Sequence, residues 1–161
     1  MAFRLDRFLT LYFFHPPISK GRRDSTIKIP ILMYHSISSD TRITGHPYFK
    51  VCTSPAVFSN HVRFLHDNGY TSIALNDVAG IFAQKKAQLS KPVCIPFDDG
   101  LRDFLTDAFT ILKRHGFSAT VFLATDFVGS KQGGFNNREC LTWEDIKHLR
   151  SAGVALRRHR Q

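Results

Sequence analysis

The sequence predicts a parallel α/β fold, on three observations. Between residues 29 and 154, short apolar runs alternate with longer stretches of helical periodicity, the order that builds parallel sheets. Two of the runs, around 93–97 and 118–124, are apolar almost throughout, as strands covered on both faces are. The connections between runs are long enough for helical crossovers, which are right-handed by default.

Residues 1–28 read as a basic, loosely held leader. Phe8–Phe14 lies behind Arg4 and Arg7 and has the look of a signal segment, but Asp6 and Arg7 crowd it and His15-Pro16-Pro17 follows where small residues would be needed for cleavage. No run approaches the length of a membrane span. Ile29–Tyr34 is a compact apolar run, read as the first buried strand, with His35 at its C-terminal end. Sites in α/β folds are built at that end, so His35 is a candidate binding residue beside the simpler reading of a structural histidine.

Ser54-Pro55 starts a helix, a capping hydroxyl followed by Pro at the first helical position. Phe58, His61, Val62 and Leu65 repeat along it and Gly69 stops it; His61 and His66 read as helix-face or surface residues. Thr71–Leu75 is the second strand. Asn76 is placed to cap a helix through Lys86, with Val78, Ile81 and Phe82 as its inner stripe. Lys91–Gly100 holds the central strand. Leu101–Arg114 follows as a helix with Leu101, Leu105, Ala108 and Leu112 inward, flanked by Phe104 and Ile111, and Gly116 closes it. Ser118–Ala124 is the next strand, and Gly129–Asn137 a glycine-rich loop. Thr142 caps a last helix with Asp145 three residues on, and Leu141 is placed to staple against Ile146. Gly153 ends this helix. Val154–Leu156 opens like another strand, and then the chain turns to RRHRQ. Residues 155–161 read as an aberrant basic tail, the sheet as incomplete at the C-terminus, and the last strand's edge as prone to aggregation.

The 161 residues carry a net charge of +9. Six of the Lys/Arg lie in residues 1–28 and three in the last seven, which leaves 29–154 nearly neutral. A nucleic-acid footprint would be a basic stripe across the folded face, so that function class ranks low. Cys52, Cys94 and Cys140 are too far apart for a paired metal knuckle, and Cys94 reads as a small core hydrophobe.

The chemistry-bearing stretch is KPVCIPFDDG, Lys91–Gly100. Asp98 and Asp99 stand where an apolar strand ends. Neighbouring side chains there point different ways, so the two acids can do two jobs, and a cation is the usual partner for such a pair. The plainer reading is a turn that caps the next helix.

Four stretches together, PILMYHSIS (30–38), 58–78, 91–129 and LTWEDIKHLRSAGV (141–154), resemble the polysaccharide deacetylases that share the NodB-homology domain. The resemblance covers about 29–154. It implies a partial distorted (β/α) barrel with its site at the C-terminal strand ends, and hydrolysis of an N-acetyl or O-acetyl group from an N-acetylated polysaccharide, assisted by a divalent metal. Zinc is the first choice, with cobalt or nickel as substitutes. By position in the motif, Asp98 is implied as the general base and Asp99 as the metal ligand; Pro96 stands where the family has Thr or Ser. Asp103 either helps hold the motif or is a first-turn helix acid. The sequence departs from the family in lacking the His pair implied after Val154: His159 falls nearby but has basic flanks and no partner. This departure makes a non-catalytic, at most carbohydrate-binding fragment the second reading. The family also implies the cell envelope or secretion.

Overall fold

The structure, a computed structural model, describes residues 28–39, 51–84, 90–129 and 138–159. The basic leader through residue 27, Lys86 and most of the glycine-rich loop lie outside them. The element order is β1 (Ser36–Ile37), β2 (Cys52–Thr53), α1 (Pro55–Asp67), β3 (Thr71–Ser72), α2 (Asp77–Gln84), β4 (Pro92–Val93) and β5 (Pro96–Phe97). A π-helical turn, Phe104–Ala108, then runs into α3 (Phe109–Arg114), followed by β6 (Thr120–Ala124), α4 (Trp143–Ser151) and β7 (Ala155–His159). All pairings between named strands are parallel: β1 with β2, β3 with β4, and β5 with β6 and β7 in turn. The predicted parallel α/β alternation is therefore what the described residues show.

The run Pro30–Tyr34 also joins the sheet. Cys94 N–H donates to the Pro30 carbonyl, Leu32 N–H to Cys94, Tyr34 N–H to Pro96 and Asp98 N–H to Tyr34, each at 2.9 Å. Read from the sequence as the first buried strand, it is buried on one side only. Leu32 and Tyr34 pack on the core, whereas Ile31 and Met33 are 56% and 62% exposed. Strand side chains alternate between faces, and on this run the alternate pair Ile31 and Met33 is left open.

On the covered face lie Val93, Ile95, Phe97, Val121 and Leu123, packed against Phe58, Val62 and Leu65 of α1, Phe104, Ala108 and Leu112 of the π-turn and α3, and Ile146 and Leu149 of α4. Phe97 stands at its centre, stacked on Tyr34 at 5.4 Å and edge-on to Phe58 and Phe104 at 5.7 and 4.7 Å. Each such side chain, fully buried, contributes about 1.5–3 kcal/mol through removal from water.

Local signals read from the sequence are realised where they depend on adjacent residues. Ser54 accepts from the Val57 N–H with Pro55 at the first helical position. Thr142 and Asp145 form a reciprocal capping box, and Leu141 and Ile146 share the core. Gly69, Gly116 and Gly153 end their helices at positive φ. Other expectations change. Asn76 does not cap α2; its Oδ1 accepts from Arg157 Nε at 2.9 Å. Phe82, expected inward, is 52% exposed. Residues 155–159, expected as tail, form a strand paired along its length with β6, from Thr120↔Ala155 to Ala124↔His159.

Candidate functional site at the carboxyl end of the strands

The Asp98-Asp99-Gly100 turn leaves β5 at the carboxyl end of the parallel strands. Asp98 is half-buried and its Oδ1 accepts the Asp99 N–H at 3.0 Å. Asp99 is buried, 8% exposed, with φ of 70°, a left-handed conformation that costs a non-glycine residue and persists only where surroundings enforce it. The two carboxylates thus occupy different environments, one at the surface and one beneath it. Gly100 must be glycine: its φ is 64°, and a Cβ there would stand 3.0 Å from Leu123 Cδ2.

The segment 138–141 braces this turn. Leu141 N–H donates to the Gly100 carbonyl and Arg102 N–H to the Glu139 carbonyl, both at 2.9 Å, and Leu101 bridges Cys140. Arg102 also pairs with Glu139 at 3.0 Å and lies 3.7 Å from Asp145. The sequence contained no sign of this brace, because its partners lie about forty residues apart and carry no shared spacing pattern.

Asp103 proves to be a structural anchor rather than only a first-turn acid. Ser36, itself buried, donates its hydroxyl to Asp103 Oδ2 at 2.5 Å, and Arg138 Nη1 approaches the same oxygen at 3.4 Å. Asp103 Oδ1 is buried without a hydrogen-bond partner. Burial lifts the Asp103 carboxyl above its usual range, and nearby Asp107 lifts it further. The Ser36 hydroxyl, the Arg138 guanidinium and the Ile37 backbone N–H oppose the rise. Cys52 joins the cluster through its thiol, which donates to the Ser38 carbonyl at 3.2 Å. The strand following His35 is thereby tied to the helix that follows the acids.

His35 itself comes to the same rim. The bridges Ile31↔Cys94 and Tyr34↔Phe97, extended by one residue, set His35 opposite Asp98. His61 is not a bare helix-face residue, since its Nδ1 is hydrogen-bonded to the Tyr34 hydroxyl at 3.0 Å. Strand β7 brings the backbone of His159 to the rim opposite Ala124. Cys94 is a core residue, as read, and burial raises its thiol pKa, with Asp77 adding to the rise. A hollow of about 500 Å³ bounded by Phe109, Lys113, Arg114 and His148 lies on the helix side, away from the acids.

The fit of a cation can be tested on this donor set. Among the described residues no three His, Cys, Asp or Glu side chains gather closely enough to hold a metal ion. A catalytic zinc site needs three protein ligands and an open position, so the described residues do not build one by themselves.

Comparison with known proteins places this geometry. The polysaccharide deacetylase family pattern matches residues 85–159. YxkH of Bacillus subtilis (strain 168), which carries the polysaccharide deacetylase name, is 33% identical over 138 residues, 86% of this chain and 44% of its own length. The poly-β-1,6-N-acetyl-D-glucosamine N-deacetylase of Staphylococcus aureus (strain MSSA476) is 24% identical over 132 residues, 76% of this chain and again 44% of that protein. Among solved structures, the Streptococcus pyogenes deacetylase PplD in complex with acetate superposes with a TM-score of 0.66 at 26% identity, covering 83% of this chain and 56% of that one. The chain spans less than half the length of these curated relatives. On sequence and fold together, the chain is similar to the polysaccharide deacetylases, and residues 85–159 carry their family pattern.

Proposed function

We propose that the chain supplies the proton-accepting part of a carbohydrate N-deacetylase, built on part of a distorted (β/α) barrel. The observation that carries this reading is the division between the two acids: Asp98 half-exposed on the strand rim, Asp99 buried behind it in a left-handed turn. Asp98 accepts a proton from water as the water oxygen attacks the acetamide carbon, and the C–N bond then breaks as that proton passes to the leaving nitrogen, giving acetate and a free amino sugar. His35, opposite Asp98, contacts the sugar. The substrate is an N-acetylated polysaccharide, the class printed in the name of the Staphylococcus aureus relative.

Asp99 is the one carboxylate ligand this turn offers a divalent cation, zinc foremost, with cobalt or nickel as substitutes. The described residues do not by themselves complete such a site. The same shortfall favours a second reading, a non-catalytic member of the family that only binds carbohydrate.

Two measurements separate the readings. Acetate release from acetylated chitooligosaccharides should be detectable for the natural chain and fall at least a hundredfold in Asp98→Asn. Zinc calorimetry should show binding that Asp99→Ala removes. Acetate release untouched by Asp98→Asn would refute the role given to that residue. Absence of both zinc binding and acetate release would leave the carbohydrate-binding reading.

A further inference from the structure

The face of the sheet turned away from the helix-packed cluster carries more than the candidate base. Residues that join the helix-packed core alternate along every strand: Leu32 and Tyr34, then Val93, Ile95 and Phe97, then Val121 and Leu123, with Leu156 on β7. The residues between them, Ile31, Met33, Cys94, Thr120, Phe122 and Arg157, are absent from that cluster and share the other face. Phe97 pairs with Val121, so one further residue sets Asp98 opposite Phe122, and Phe122 pairs with Arg157. His35, Asp98, Phe122 and Arg157 therefore form one row across four strands, half-exposed or exposed at the carboxyl end of a face whose Cys94 and Thr120 are buried.

The last two members of this row have no part in the chemistry given above. Phe122 is the only half-exposed residue of β6, so its ring is available on this face. Arg157 is exposed; its Nε donates to Asn76 Oδ1 at 2.9 Å and its Nη1 to the Leu156 carbonyl at 3.0 Å. Both acceptors are neutral. Among the described residues the guanidinium has no acid partner, and it still has donors in the planar fork that matches a carboxylate.

We propose that Phe122 and Arg157 form a subsite for an acidic sugar, its ring lying on Phe122 and its carboxylate paired with Arg157. Strands about 4.8 Å apart place Arg157 about 10 Å from Asp98 across the row, with the aromatic platform between them. The charges fix the direction of the chain: Asp98 repels a carboxylate, so the anionic unit lies towards β7 and the acetamido unit towards Asp98. The inference rests on the deacetylase reading only for what Asp98 does.

The test is binding, not turnover. With the whole chain, glucuronate should bind about tenfold more tightly than glucose by NMR titration, the advantage of one charge-assisted contact. Arg157→Gln should bring the two sugars within twofold. Arg157→Lys should keep part of the preference, because the charge remains and the fork is lost. Phe122→Ala should weaken both sugars alike. Free acetate should bind more weakly than glucuronate, since it lacks the ring. Equal affinities in the natural chain, no binding of either sugar at tens of millimolar, or a preference that survives Arg157→Gln would each overturn the proposal. Acetate binding as tight as glucuronate, with Phe122→Ala silent, would also overturn it by showing a bare anion site. None of these readouts depends on acetate release, so failure of the deacetylation assay counts against Asp98 alone.

Discussion

Asp103 shows how one buried carboxyl links the site to the rest of the chain. It receives the Ser36 hydroxyl, faces Arg138 and keeps one oxygen without a partner. Burial, the largest influence, raises its folded pKa above the ordinary 3.8. The sign follows: the protonated form suits the fold, so its contribution is whole below 3.8 and is lost as pH rises through the folded value. Asp103→Asn removes that titration and keeps an acceptor for Ser36. Urea midpoints of the variant, relative to the natural chain, should improve as pH rises from 3.8 and level off once the folded value is passed. A difference that stays flat with pH would show that burial does not govern this group. The sequence offered Asp103 as either a motif support or a helix acid. It could not decide, because Ser36 and Arg138 lie 67 and 35 residues away.

At the scale of elements, what was legible tracks the range of the interaction. The cap at Ser54 and the box at Thr142 and Asp145 are written within four residues, and both form. Asp98 and Asp99 were legible as a pair at a strand end for the same reason. The π-helical turn at Phe104–Ala108 was not, since the extra residue in that turn leaves the apolar spacing nearly unchanged. Ile29–Tyr34 was read as a buried strand, yet Ile31 and Met33 stand exposed, because an apolar run does not say which of its faces is covered. Asn76 was read as a cap and serves Arg157 instead, 81 residues away. The box allows a direct check. Thr142→Ala removes the oxygen that the Asp145 N–H uses and should cost about 1 kcal/mol, seen as a lower urea midpoint with an unchanged slope. A loss below a few tenths would mean that core packing through Leu141 and Ile146 holds α4 without its cap.

For the whole molecule, the balance lies between an open sheet edge and a large positive charge. Ala155 N–H donates to Ala119, and in a parallel ladder alternate residues bond to the same neighbour. The amides of Leu156 and Arg158 therefore face away from β6, and among the described residues no strand meets them. Such an edge invites pairing with another chain, while the net charge of +9 opposes approach. Salt screens the repulsion far more than it weakens strand pairing. The average mass in sedimentation should therefore rise with protein concentration, and more steeply at high salt than at low. Arg158→Pro deletes one outward donor and leaves the β6 ladder whole. It also removes a charge, which by itself would promote association. Reduced association in Arg158→Pro, with unchanged circular dichroism, would thus identify the backbone edge as the contact. Undiminished association would place the contact elsewhere, with exposed Ile31, Met33 and Trp143 the next surfaces to examine.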